Sequence, residues 1–204
     1  MNIMKQALGK QWNSLPPVLQ AHYQDNDNKD IGKLSVEYPA WMQLFLNGLH
    51  LFGALLNRQG QDISTEVSKK MQGNTQCWHR TMTFEEGKNV YFKSRWNYAE
   101  GNKLEEYVNS ILGLRMSVEV REDKLYYEGE KFIIKLGKIK LPLPEWLLLG
   151  HTTIIEEQVD PEHFKMDFRL THPLFGEVYR YTGTFCTRTT TRATNNSEKG
   201  ARET

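Results

Sequence analysis

In the stretch Gln76 to Phe84 every second residue is Trp78, Arg80, Met82 and Phe84, so an extended chain that turns its tryptophan inward turns an arginine inward too. The same parity places Glu106 between Leu104 and Val108. A charge facing an apolar interior is costly unless paired, and a guanidinium and a carboxylate on one interior are natural partners. Two readings stand side by side: Arg80 and Glu106 are a salt bridge in a filled core, or they are the polar anchor at the base of an apolar pocket. Ser94, in the alternating set Val90, Phe92, Ser94 and Trp96, and Tyr181, in the set Tyr179, Tyr181, Gly183 and Phe185, offer further hydrogen bonds, with Trp78 beside them. Such a constellation suits a hydrophobic or amphiphilic small molecule or lipid. Catalysis would need Glu106 as acid or base and Arg80 as an electrostatic anchor, with no nucleophile and base pair in evidence.

Other chemistries have no signature. There is no G-x-G-x-x-G, no P-loop and no G-x-S-x-G. The six histidines stand singly, without metal-binding spacing, so no metal and no cofactor is expected. Cys77 and Cys186 lack C-x-x-C spacing and are expected as free thiols, one per strand. The formal net charge of +1 divides into +2 from Arg188 onward and −1 for the rest, a balance that argues against nucleic acid. The start, MNIMKQALGKQW, lacks the apolar run of a signal peptide, and a cytoplasmic location is expected.

These side chains need a wall to carry them. From Ile63 to Thr187 turn signals recur at Gly73-Asn74, Glu86-Gly87, Gly101-Asn102, Glu122-Asp123, Gly129-Glu130, Asp160-Pro161 and Pro173 to Gly176. The segments between them alternate, most cleanly in Phe164, Met166, Phe168 and Leu170. The spacing predicts a mainly β (α+β) fold, an antiparallel meander of about eight to ten strands curled into a lipocalin-like barrel or half-barrel. A helix-grip fold of the lipid-transfer type is the alternative. One domain is expected over residues 1–188, with a disordered polar tail over 189–204.

Before the meander, Ser14 is a candidate cap and Pro17 a first position for a short helix from Val18 to Tyr23, followed by a strand from Ile31 to Tyr38. Tyr38 to Leu56 carries no charge, but Gln43, Asn47, His50 and Asn57 form a polar stripe. An amphipathic helix over the barrel is predicted, with Leu44, Phe45, Phe52 and Leu55 buried. A helix lying in a membrane surface and a membrane span are the other options for that stretch. Within FIIKLGKIKLPLPEWLLLGH, residues 132–151, Pro142 and Pro144 are expected to stop a strand and to hold Pro142 to Gly150 outside the ladder. Trp146 and the leucines after it would plug one end.

Several of these features, taken in order, resemble a known family. Leu15-Pro16-Pro17 with His22, Trp78-x-Arg80-x-x-x-Phe84, Phe92-x-Ser94, Gly101-x-x-Leu104-x-Glu106, Leu141-Pro142-Leu143-Pro144-x-Trp146-Leu147 and His172-Pro173-Leu174-Phe175-Gly176 through Tyr181-x-Gly183 resemble the bacterial family catalogued as domain of unknown function 4166. The resemblance runs from about Leu15 to Phe185. It implies no assigned activity, and since the domain also occurs behind oxidoreductase-like dinucleotide-binding domains, it implies an oxidoreductase as a partner. The Asn/Asp-rich insert before Ile31 and the polar tail depart from the commoner pattern.

Overall fold

The computed structural model describes residues 2–24, 28–51 and 53–189. Its strands are β1 (Asn28–Glu37), β2 (Gly60–Gln72), β3 (Thr75–Thr83), β4 (Asn89–Glu100), β5 (Lys103–Tyr107), β6 (Leu112–Arg121), β7 (Lys124–Leu136), β8 (Ile139–Leu143), β9 (His151–Gln158), β10 (His163–His172) and β11 (Gly176–Thr189). Each of β1 to β7 pairs with the next, β7 pairs with β9, and β9, β10 and β11 lead back to β1. Ten antiparallel strands thus close into a barrel, which removes the ring's free edges. The helix-grip alternative does not hold, because the last strand seals the ring against the first. The tail expected over 189–204 lies, apart from Thr189, outside the described residues.

The inner wall follows strand parity. In β10, Phe164, Phe168 and Leu170 are buried, while Asp167 lies between Arg169 and Arg180 outside. Gly183 marks a close backbone approach: a Cβ there would lie 2.6 Å from the Lys33 carbonyl oxygen. Gly32, one residue before Lys33, is tighter still, 2.1 Å from the carbonyl of Thr184. The β1–β11 seam bends where these glycines let two backbones meet.

The N-terminal residues seal one end, the base. Asn2 caps α1 (Ile3–Leu8) through Lys5 N, and a 3-10 turn over Gly9–Ser14 buries Trp12. Neither element was legible in the sequence. In α2 (Pro17–His22) Pro17 takes the first position as expected, but Ser14 ends the preceding turn and caps nothing. Val18, Leu19 and His22 are buried, and Tyr23 follows them into the barrel.

At the other end, the mouth, several expectations are corrected. The helix is shorter than Tyr38 to Leu56: a 3-10 turn over Ala40–Met42 leads into α3 (Gln43–Leu51). Its buried side chains are Met42, Leu46 and Leu49, whereas Leu44 and Phe45 point outward; Phe52 lies outside the described residues, and Leu55 is partly buried. The polar stripe decides the orientation. Gln43 accepts from Tyr38 Oη (2.8 Å) and donates to Asn57 O (2.7 Å), while Asn57 donates to Asn47 (2.9 Å), so the stripe ties the helix to the chain after it. Among the described residues no helix is long and apolar enough to cross a membrane.

Pro142 is inside a strand, contrary to expectation. It sits opposite Ile133 in β8, which lies outside the ring and among the described residues pairs only with β7, the setting in which proline is tolerated in a ladder. The ladder stops at Pro144, and Glu145–Leu147 forms a 3-10 turn. That turn does not plug the barrel: Glu145 and Leu149 are buried, but Trp146 and Leu147 are exposed. Gly129-Glu130 is not a turn either; the register shift opposite Arg115 and Met116 makes it a bulge within β7.

Candidate functional site

Arg80 on β3 and Glu106 on β5 project inward across β4, as their parity requires. Arg80 Nη2 lies 3.6 Å from Glu106 Oε1, a loose ion pair with both side chains mostly buried. Arg80 Nη1 donates to Ser94 Oγ at 2.9 Å from the strand between them. The guanidinium also lies 5.1 Å from the ring centres of Trp78 and Phe92, so aromatic faces take part of its charge. Tyr181 stacks on Phe168 at 4.4 Å, and burial, with the Glu106 charge acting against the help of Arg80, pushes its hydroxyl well above the usual tyrosine range. The five residues singled out in the sequence, Trp78, Arg80, Ser94, Glu106 and Tyr181, therefore share the interior.

Two small cavities flank the pair. One, of about 70 Å³, is bordered by Glu106, Leu114, Phe132, Thr152 and Tyr181; the other, of about 50 Å³, by Arg80, Thr65, Met82 and Met166. Leu55, Phe92 and Tyr181 border both. Thr152 is fully buried at the first, and its hydroxyl has no hydrogen-bond partner among the described residues. A concavity of about 600 Å³ is a different feature: an open trough on the outer wall edged by Lys70, His79, Lys93 and Arg95.

Below this site lies a denser polar cluster that the sequence reading missed. Lys69 Nζ donates to Asp30 Oδ2 (2.7 Å) and to the carbonyl of His22, and each of these two charged side chains is 1% exposed. His22 Nδ1 is 2.9 Å from Asp30 Oδ2, and Thr187 donates to the other carboxylate oxygen at 2.8 Å. Tyr23 donates to Glu156 at 2.6 Å and accepts from Tyr127. Burial pushes the Asp30 carboxyl upward, but the charges of His22 and Lys69 outweigh it and hold it far below the carboxylate range. For Glu156 burial prevails over His22, Tyr23 and Lys69 and its pKa is raised; for Lys69 burial prevails over Asp30 and its pKa is lowered. Trp78 and Trp96, stacked at 5.1 Å, adjoin this cluster, with Lys69 Nζ 5.0 Å from the Trp78 ring. Neither indole N–H has an acceptor among the described residues.

A closed antiparallel barrel with a charged pair on an apolar inner wall is the class that fold and site define. The chain belongs to the family of domain of unknown function DUF4166, whose profile matches residues 15–185. That span takes in α2 and the strands as far as Phe185 in β11, and so holds both polar clusters apart from Thr187. No curated protein matches the chain.

Proposed function

We propose that the barrel is a non-catalytic binding module for an amphiphilic small molecule, acting as a cytoplasmic domain. Its apolar part would occupy the two cavities joined, and a hydroxyl or amide at its polar end would lie between Arg80 and Glu106, within reach of Thr152. The observation that carries this reading is the loose Arg80–Glu106 pair, set between two cavities and beside a buried hydroxyl without a partner among the described residues. A neutral group that both accepts and donates would satisfy all three better than they satisfy one another.

Ligand-sized sites run to about 300 Å³ or more, so entry requires a movement. The segment between α3 and β2 supplies it. Residues 54–59 are in neither helix nor strand, contribute Leu55 to both cavities, and are held by side-chain bonds from Gln43 to Asn57 O and from Gln59 to Tyr38 O. The small closed volume favours a second reading, an accessory domain with a filled core, for which an oxidoreductase is the partner suggested by the family resemblance.

Native mass spectrometry of the purified protein, followed by thermal melts with dodecanol, dodecanamide and dodecanoic acid, separates the two. A retained small molecule or a rise in Tm with at least one amphiphile, lost in Arg80→Ala and Thr152→Val, is expected. No retained molecule and no stabilisation, even in a Leu55→Ala variant that merges the cavities, would leave the filled core standing.

A further inference from the structure

We propose that the mouth of the barrel docks on the surface of an anionic lipid bilayer. Among the described residues, twelve of the fifteen exposed large hydrophobic side chains lie at this end, which also bears α3, the tip of the β7–β8 hairpin, the turn over Glu145–Leu147 and the turn between β10 and β11. Leu44 is 83% and Leu51 85% exposed, values that a helix covering a barrel against water has no reason to show. Three of these elements meet: Trp41 lies 5.3 Å from Phe175, and His172, stacked on Phe175, bonds the carbonyl of Trp146 at 2.8 Å.

The charges choose the occupant. At the hairpin tip Lys135 and Lys138 interleave with Leu136 and Ile139, and among the described residues neither lysine has an acidic partner. Residues 131–151 hold a single acid, Glu145, and it is buried. Other acids at this end stand away from the hairpin tip: Glu85 and Glu86 in the β3–β4 turn, where Glu86 holds Arg58, Glu37 and Asp62 where β1 ends and β2 begins, and Glu177 at the start of β11, 3.6 Å from Arg169; Glu105 is taken by Lys140. Exposed tryptophans and leucines with lysines able to extend their ammonium groups beside them match an acyl boundary under anionic headgroups. A second copy meeting the hairpin through a twofold axis would set Lys135 and Lys138 of the two tips together, and residues 131–151 offer no exposed acid to receive them. The docking does not require a ligand in the interior.

Co-sedimentation of the full chain with vesicles of phosphatidylcholine and phosphatidylglycerol tests this, against vesicles of phosphatidylcholine alone. Binding to the anionic vesicles is expected, with Trp41 and Trp146 emission quenched by brominated acyl chains. Lys135→Gln with Lys138→Gln should weaken partitioning about thirty-fold, from about 1 kcal/mol per surface lysine. Leu44→Ser with Leu51→Ser should weaken it on either membrane; were that variant to misfold, the lysine pair still decides. Failure to sediment with anionic vesicles, or unchanged binding in folded variants, would overturn the proposal. A dimer in sedimentation velocity that Leu44→Ser dissociates, without lipid binding, would give the surface to a second copy instead.

Discussion

Two ion pairs share one barrel interior, and their surroundings set different costs for breaking them. Asp30 and Lys69 are closed off from water and have three or more polar contacts between them, so Asp30→Asn leaves an uncompensated ammonium and should cost about 3–5 kcal/mol. Arg80→Ala leaves Glu106 beside a cavity of about 70 Å³, room for water, and should cost about 1–2 kcal/mol in the free protein. Urea unfolding of both variants checks this; equal losses would mean that Glu106 is as dry as Lys69. Glu156 adds a pH dependence of unusual sign. Its raised pKa means that the folded state binds the proton more tightly, so stability falls as pH rises from the unfolded value of about 4.3 through the folded one. Glu156→Gln removes that loss, and its stability relative to the parent should improve as pH rises above about 4. A constant difference across that range would refute the assignment. Parity exposed Arg80 and Glu106 in the sequence, and it also marked Lys69, which shares a face with Ile63, Thr65 and Val67. The adjacent Lys70 disguised it as part of a solvated run, and its partners come from segments as far away as His22 and Glu156.

Among the elements, the meander was legible because turn residues and period-2 alternation are local signals, whereas the orientation of α3 was not. Apolar residues flank its polar stripe on both sides, and only the tether from Gln43 and Asn47 to Asn57 selects Met42, Leu46 and Leu49 for burial. The bulge at Gly129 was misread as a turn for a similar reason, since its purpose lies in another strand. A Cβ on Gly129 would sit 1.8 Å from Glu145 Oε1, the atom that accepts from the backbone N–H of Thr152 at 3.1 Å. Gly129→Ala should expel that carboxylate and leave a buried donor unsatisfied, at about 1–3 kcal/mol. A melt should show it as a fall of roughly 2–4 °C per kcal/mol. Adding Glu145→Ala should cost little more, because the bond is already lost; an unchanged melting temperature for Gly129→Ala would show that Glu145 does not fix the start of β9.

For the molecule as a whole, closure of ten strands leaves one segment at the end of the hydrogen-bonded order, the outer edge of β8. A bare edge with exposed Ile139 and Leu141 is a template on which the same strand of another molecule can be laid, and repetition of that contact builds a fibril. Lys138 repels such an approach, whereas Lys140 is held by Glu105 at 2.7 Å, and Pro142 deletes a donor from the row. Pro142→Val should therefore leave the melting temperature close to that of the parent while thioflavin fluorescence grows in concentrated, gently heated solutions. A parent and variant that remain equally clear would show that Lys138 suffices alone. If the variant does seed fibres, the storage limit of this protein is set by one imino acid outside the barrel.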